Sequence, residues 1–214
     1  MTRFRSSAVP LAVVAAVLGG CAAPSGEPAT GFVSREAENT FIPLSGTQYV
    51  FLTADGAAVV IGDGIAVTNA HTSGLVDPRS VIGRSRDYDL MFFRTDSHAS
   101  PLPTIAPREG TRVIAYGQYD GRLRRAEGDL THVDAAVEPR CRLCPVQSAF
   151  TFEGNAGPGF SGGPVLDAAS GKLIGIVFGY TDGPGGGRTI YAYPMDRVEA
   201  ELKKIEDSQS VDPD

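Results

Sequence analysis

Asn155-Ala156-Gly157-Pro158-Gly159-Phe160-Ser161-Gly162-Gly163-Pro164-Val165 is the stretch on which the reading of this chain turns. It sets one serine among glycines, directly after a strand-like run. Glycine reaches positive φ and lets the backbone approach a ligand closely. A turn built this way can aim two main-chain N–H groups at one point. Such a pair stabilises the oxyanion formed when a hydroxyl attacks a carbonyl, and losing one donor costs about 3–4 kcal/mol of barrier. A plain glycine-rich loop is the competing reading of this stretch taken alone.

Two other segments supply what a serine hydroxyl lacks. In Ala66-Val67-Thr68-Asn69-Ala70-His71 a strand ends and a histidine follows at once. Imidazole is the usual base for a hydroxyl near neutral pH. His98 and His132 have no such context and read as ordinary surface or core histidines. In Asp87-Tyr88-Asp89-Leu90-Met91-Phe92-Phe93 a carboxylate stands at the head of an apolar strand. There it can accept the imidazole N–H, fix its tautomer and stabilise the imidazolium. The competing reading makes Asp87 and Asp89 turn acids.

The three segments together resemble the chymotrypsin-like serine peptidases of bacterial type. Thr68-Asn69-Ala70-His71 is similar to the family's histidine motif, Asp89-Leu90 to its aspartate step, and Gly159-Phe160-Ser161-Gly162-Gly163-Pro164 to its serine box. The resemblance runs from about Gln48 to Ile205 and keeps the family order His, Asp, Ser. It implies an all-β fold of two antiparallel six-stranded β-barrels with a C-terminal α-helix. It also implies Ser161 as nucleophile, His71 as base and then acid, and Asp89 as orienting carboxylate, with Asp87 as the alternative. The N–H groups of Gly159 and Ser161 then form the oxyanion hole. The primary substrate pocket is expected from Asn155 at its base and from Val177, Phe178 and Gly179 and Ile190, Tyr191 and Ala192 along its walls. An uncharged Asn155 with Tyr191 narrowing the pocket points to small or medium uncharged side chains. Phe160 stands where digestive members carry an aspartate, so their activation switch is expected to be absent. The implied activity is endopeptidase cleavage of protein or peptide substrates with no metal or organic cofactor. A peptidase-like binding module without turnover and an esterase are the rival readings.

Short apolar runs alternate with turn formers along the chain: residues 49–52, 57–61, 65–69, 90–93, 113–117, 150–152, 164–166, 173–178 and 189–193. Strands at this spacing indicate an antiparallel sandwich or barrel. Met195, Val198, Leu202 and Ile205 recur on one face of a helix. The chain has 214 residues, 42% apolar and 21% charged, which is one domain with short extensions. Its 26 Gly and 15 Pro argue against a helix bundle. A formal charge of −6 offers no basic stripe for nucleic acid.

The ends read differently. Arg3 and Arg5 precede an apolar run over 8–18 and then Leu18-Gly19-Gly20-Cys21. This resembles the bacterial lipoprotein box, which implies a signal over 1–20, a lipid on Cys21, and residence on the periplasmic or outer-membrane face of the envelope. An ordinary signal peptide and an uncleaved anchor are the alternatives. Loss of residues 1–20 removes two Arg and takes the charge to −8, so membrane attachment has to come from acyl chains, and stable anchoring takes more than one. Residues 21–40 have no periodicity and are expected to be a flexible tether. Residues 41–206 are expected to form the domain and 207–214 a disordered acidic tail. Cys141 and Cys144, in C-R-L-C spacing, are expected to close a local disulfide in an exported protein. A redox pair and half a zinc site are the other readings.

Overall fold

A computed structural model describes residues 25–47, 53–137, 147–183 and 187–210. The signal segment, Cys21, Cys141, Cys144, the strand expected at 49–52 and residues 211–214 lie outside the described residues. The chain folds into two antiparallel sheets and a C-terminal helix, as the resemblance implies.

The first sheet contains β2 (Phe41–Thr47), β3 (Thr53–Gly62), β4 (Ile65–Thr68), β5 (Val81–Arg84) and β6 (Met91–Arg94), in the order β2-β3-β4-β6-β5. The second contains β1 (Glu27–Pro28), β7 (Arg112–Tyr119), β8 (Arg122–Val137), β9 (Gln147–Gly154), β10 (Pro164–Asp167), β11 (Leu173–Asp182) and β12 (Arg188–Pro194). Its order is β1-β8-β7-β10-β11-β12-β9, and β8 also pairs with β9. That extra pairing closes six strands into a barrel, which removes the open edges. β9 covers β8 from Leu130 to Val137. β1 lies against Arg124 and Arg125 of the same strand.

Burial follows strand alternation. Val113, Ala115, Phe150, Phe152, Phe160, Ile174, Ile190 and Ala192 fill the closed barrel. Each fully buried Phe contributes roughly 1.5–3 kcal/mol of apolar transfer. A second cluster lies between the sheets. It joins Val59, Val67, Leu90 and Phe92 of the first to Ile114, Tyr116, Ile176 and Tyr193 of the second, with Met195 and Val198 of the helix. Gln118 of β7 ties the sheets with polar bonds, its Nε2 donating to Leu44 O at 2.6 Å and Gly56 O at 3.0 Å.

Residues 25–40, expected as flexible chain, are folded onto the domain. β1 is followed by helix α1 (Arg35–Thr40), capped where Ala37 N donates to Ser34 Oγ at 3.1 Å. Ser25, Ala37 and Thr40 are buried. Main-chain pairing and small residues dock most of the segment, and its one aromatic residue, Phe32, packs on Tyr116 at 4.5 Å. Residues 54–56, expected as a turn, continue β3, with Asp55 accepting from Ser45 Oγ at 2.8 Å and Asp120 N at 2.6 Å. Helix α2 (Met195–Ser210) runs beyond the expected boundary at 206 because Gln209 Nε2 donates to Ile82 O at 2.7 Å and pins its last turn to β5. Among the described residues no helix is long and apolar enough to cross a membrane.

Candidate active site

β4 ends at Thr68, and a short 3-10 helix (Ala70–Leu75) follows. Thr68 Oγ1 donates to Ala57 O at 2.7 Å, and Thr72 Oγ1 to Asn69 O at 2.7 Å. The buried Asn69 donates through Nδ2 to Asp89 O at 3.0 Å. The motif residues around the histidine therefore lock the turn and leave His71 at its surface.

His71 Nδ1 lies 2.6 Å from Asp89 Oδ2, and its backbone N donates to Asp89 Oδ1 at 3.0 Å. With Nδ1–H donating to the carboxylate, Nε2 presents a lone pair to the cleft. The Asp89 side chain is 12% exposed against 33% for His71, so the acid lies on the dry side of the pair. Asp87 points elsewhere, its Oδ2 3.4 Å from Lys204 Nζ. Geometry thus places Asp89, not Asp87, against the imidazole.

Asp89 is held from the second barrel and the helix. Its N donates to Tyr193 Oη at 3.4 Å, and Tyr193 Oη donates to Gln147 Oε1 at 2.6 Å. Tyr193 stacks on Phe178 at 3.9 Å. From α2, the buried Glu201 accepts from Ser85 Oγ at 2.6 Å, and Ser85 Oγ accepts from the N–H groups of Asp87 and Tyr88. Lys204 donates to the same Glu201, and that bond raises its pKa above the usual lysine value.

Ser161 sits on the turn between β9 and β10. Phe160 is fully buried in the barrel and anchors the turn by its ring. The N–H groups of Phe160, Gly162 and Gly163 donate to Gly157 O, Val177 O and Phe160 O respectively. Those of Gly159 and Ser161 donate to no acceptor among the described residues. Two alternate donors left over in this turn match the oxyanion arrangement. Gly159 has φ +91, and a Cβ there would stand 1.8 Å from Gln118 O.

The serine turn touches β3 and the histidine strand β4. Ala57 N of β3 donates to Ser161 O at 2.9 Å, and a Cβ on Gly162 would stand 2.3 Å from Thr68 Oγ1 of β4. Ser161 Oγ itself makes no hydrogen bond among the described residues, to His71 or otherwise. Without substrate such bonds are commonly long and tighten in the Michaelis complex.

Beside Ser161 is a small pocket of about 10 Å³ lined by Ala156, Gly157, Val177, Gly179, Tyr180 and Ile190. Asn155 does not line it: the residue is exposed and its carbonyl accepts from Gly26 N at 2.8 Å. Phe178 and Tyr191 face a neighbouring aromatic cavity of about 590 Å³, shared with Tyr88, Asp89 and Tyr193. Strand alternation explains the correction, since Val177 and Ile190 face the small pocket and their successors the opposite side. A register shift between Val177 and Gly179 lets Gly179 line both. Tyr193 and Gln147 are not indicated by the sequence as site residues, although the alternation of Ile190-Tyr191-Ala192-Tyr193 carries the signal for the first of them. No group of three or more metal-ligating side chains occurs among the described residues.

A family model described as "Trypsin-like peptidase domain" matches residues 29–176. Among solved structures, the active form of the Rv3671c protease from M. tuberculosis is 17% identical, with 96% of this chain and 94% of that one covered and a TM-score of 0.68. The MamO protease domain from Magnetospirillum magneticum is 16% identical over 78% of this chain and 97% of that one, with a TM-score of 0.59. The HtrA-type protease AlgW, solved with a decapeptide, is 18% identical over 78% of this chain and 62% of that one, also at 0.59. At these identities the likeness shows the fold. No curated protein sequence matches the chain.

Proposed function

The chain belongs to the trypsin-like peptidase domain family, and from that premise we propose that it is a serine endopeptidase working through Ser161, His71 and Asp89. The observation that carries this reading is the 2.6 Å contact of His71 Nδ1 with Asp89 Oδ2, formed where the Ser161 turn meets the end of β4.

Ser161 Oγ attacks the scissile carbonyl carbon while its proton passes to His71 Nε2. The carbonyl oxygen becomes an oxyanion facing the N–H groups of Gly159 and Ser161. Asp89 remains ionised and stabilises the imidazolium. Collapse breaks the C–N bond as His71 returns the proton to the departing amine, leaving an acyl ester on Ser161. Water, deprotonated by His71, then releases the acid and restores the hydroxyl. AlgW, solved with a decapeptide, supports a peptide as the ligand class.

The 10 Å³ pocket beside Ser161 supports small uncharged residues before the cleaved bond. A peptide library should show cleavage after Ala, Ser or Val at least about tenfold faster than after Lys or Phe, the scale set by a few kcal/mol of pocket fit. Fastest cleavage after Lys would overturn this preference.

The domain is placed on the bacterial envelope by acyl chains on Cys21. A fluorophosphonate probe tests both proposals in one experiment. Wild-type protein is expected to label and to sediment with membranes. Ser161→Ala should sediment without labelling, and Cys21→Ser should label in the soluble fraction. Absence of labelling in folded wild-type protein would leave a binding module in place of the enzyme. Sedimentation of Cys21→Ser with membranes would remove the lipid anchor.

A further inference from the structure

Residues 25–28 touch the turn that carries Gly159 and Ser161 at three points. Gly26 N donates to Asn155 O at 2.8 Å, at the start of the turn. Ser25 stands against Gly157, where a Cβ would lie 2.6 Å from its Oγ. Gly26 packs on the ring of Phe160, the residue between the two unused donors, and a Cβ on Gly26 would lie 2.5 Å from Phe160 Cζ. Gly26 has φ +65, so the close approach and the backbone conformation both call for glycine.

The segment is secured from the other side by one side chain. Arg124 Nε donates to Ser25 O at 3.0 Å and Arg124 Nη2 to Gly26 O at 2.6 Å. Glu27 and Pro28 then pair with Arg125 and Arg124, on a stretch of β8 that lies before the part covered by β9. Docking thus uses main-chain bonds, a guanidinium fork and the Phe160 ring, with no large apolar side chain from residues 25–28 themselves.

From this we infer that residues 25–28 are a positioning segment for the oxyanion donors, with Arg124 its clasp. The inference rests on the serine-peptidase reading above. The peptide group after Phe160 carries the Ser161 N–H, and the one before it joins Phe160 to Gly159 and donates its own N–H to Gly157 O at 3.1 Å, so a fixed Phe160 holds the backbone at both donors. Gly26 closes the space in which the Phe160 ring would otherwise shift. The segment's bonds run to Asn155, Arg124 and Arg125 of the second sheet, whereas His71 follows β4 of the first, so loosening it acts on transition-state stabilisation and spares the activated serine.

Full-length Arg124→Ala and Gly26→Ala variants test this, with Arg125→Ala as a control of equal charge change. The Arg125 side chain pairs with Glu127 at 3.2 Å and not with the segment. Arg124→Ala is expected to lower kcat by about tenfold or more, within the range of one weakened oxyanion donor, with KM within about threefold. The fluorophosphonate should still label the wild-type fraction of molecules at completion, but at a lower rate constant. Arg124→Lys, which restores one donor, should recover part of the rate. A merely structural role would lower the labelled fraction in step with kcat, and that result overturns the inference. Wild-type kcat in both Arg124→Ala and Gly26→Ala overturns it as well, while leaving the peptidase reading intact. An unlabelled wild type overturns the peptidase reading and this inference with it.

Discussion

Asp89→Asn is expected to lower kcat by about 10⁴ with KM within about threefold of wild type. The carboxylate faces His71 with both oxygens, Oδ2 at 2.6 Å from Nδ1 and Oδ1 at 3.0 Å from the backbone N. An amide can keep only one of these as an acceptor. If its NH2 faces Nδ1, the ring takes the tautomer with its proton on Nε2, and the base toward Ser161 is lost. If its oxygen faces Nδ1, the negative charge that stabilises the imidazolium is still gone, on a side chain only 12% exposed. Asp87→Asn is the paired control. Its carboxylate lies 3.4 Å from Lys204 Nζ, so kcat should stay within about twofold, the usual scale of an exposed ion pair. Steady-state kinetics on the two proteins decide the matter. A large loss in Asp87→Asn with a small one in Asp89→Asn would transfer the orienting role and refute the assignment.

Gly159→Ala is expected to lower kcat/KM by about 10²–10³, the loss of one oxyanion donor. The added methyl would stand 1.8 Å from Gln118 O at a φ of +91. Gln118 has little freedom to yield. It is buried, its N donates to Gly159 O at 3.0 Å, and its Nε2 is bonded to Leu44 O and Gly56 O. The turn must swing instead, and the Gly159 N–H leaves its alignment. Gly171→Ala separates this from general backbone strain. Gly171 has φ +69, and its nearest neighbour to a Cβ is Val33 Cγ1 at 3.9 Å. Both variants should lower Tm, but only Gly159→Ala should lose turnover. Full kcat/KM in a folded Gly159→Ala protein would remove this residue from the oxyanion hole.

The elements legible in the sequence are those whose chemistry is local. The Thr68-Asn69-Ala70-His71 step works because Thr68 and Asn69 bond within one turn of the histidine. The serine turn is legible because its positive φ values at Gly159 and Gly162 require glycine. The choice between Asp87 and Asp89 was not legible, since it depends on Lys204 and Tyr193, far along the chain. β8 escaped notice because its segment, Arg122-Leu123-Arg124-Arg125-Ala126-Glu127, carries charge on residues held in the sheet by main-chain pairing. Residues 25–28 escaped it for the same reason, having neither bulk nor periodicity. The pocket assignments followed position along the strand, whereas facing direction alternates. Phe178 and Tyr191 therefore landed in the neighbouring cavity.

The burial of Ser25, 3% exposed, shortens any leash to a bilayer. Four peptide steps separate it from Cys21, a span of at most about 14 Å when fully stretched. A protein moored by fatty acids at that cysteine would ride almost flush with the headgroups. Its encounters would be governed by lateral diffusion, and the chains it meets most often would be those that present a cleavable stretch just above the lipid surface.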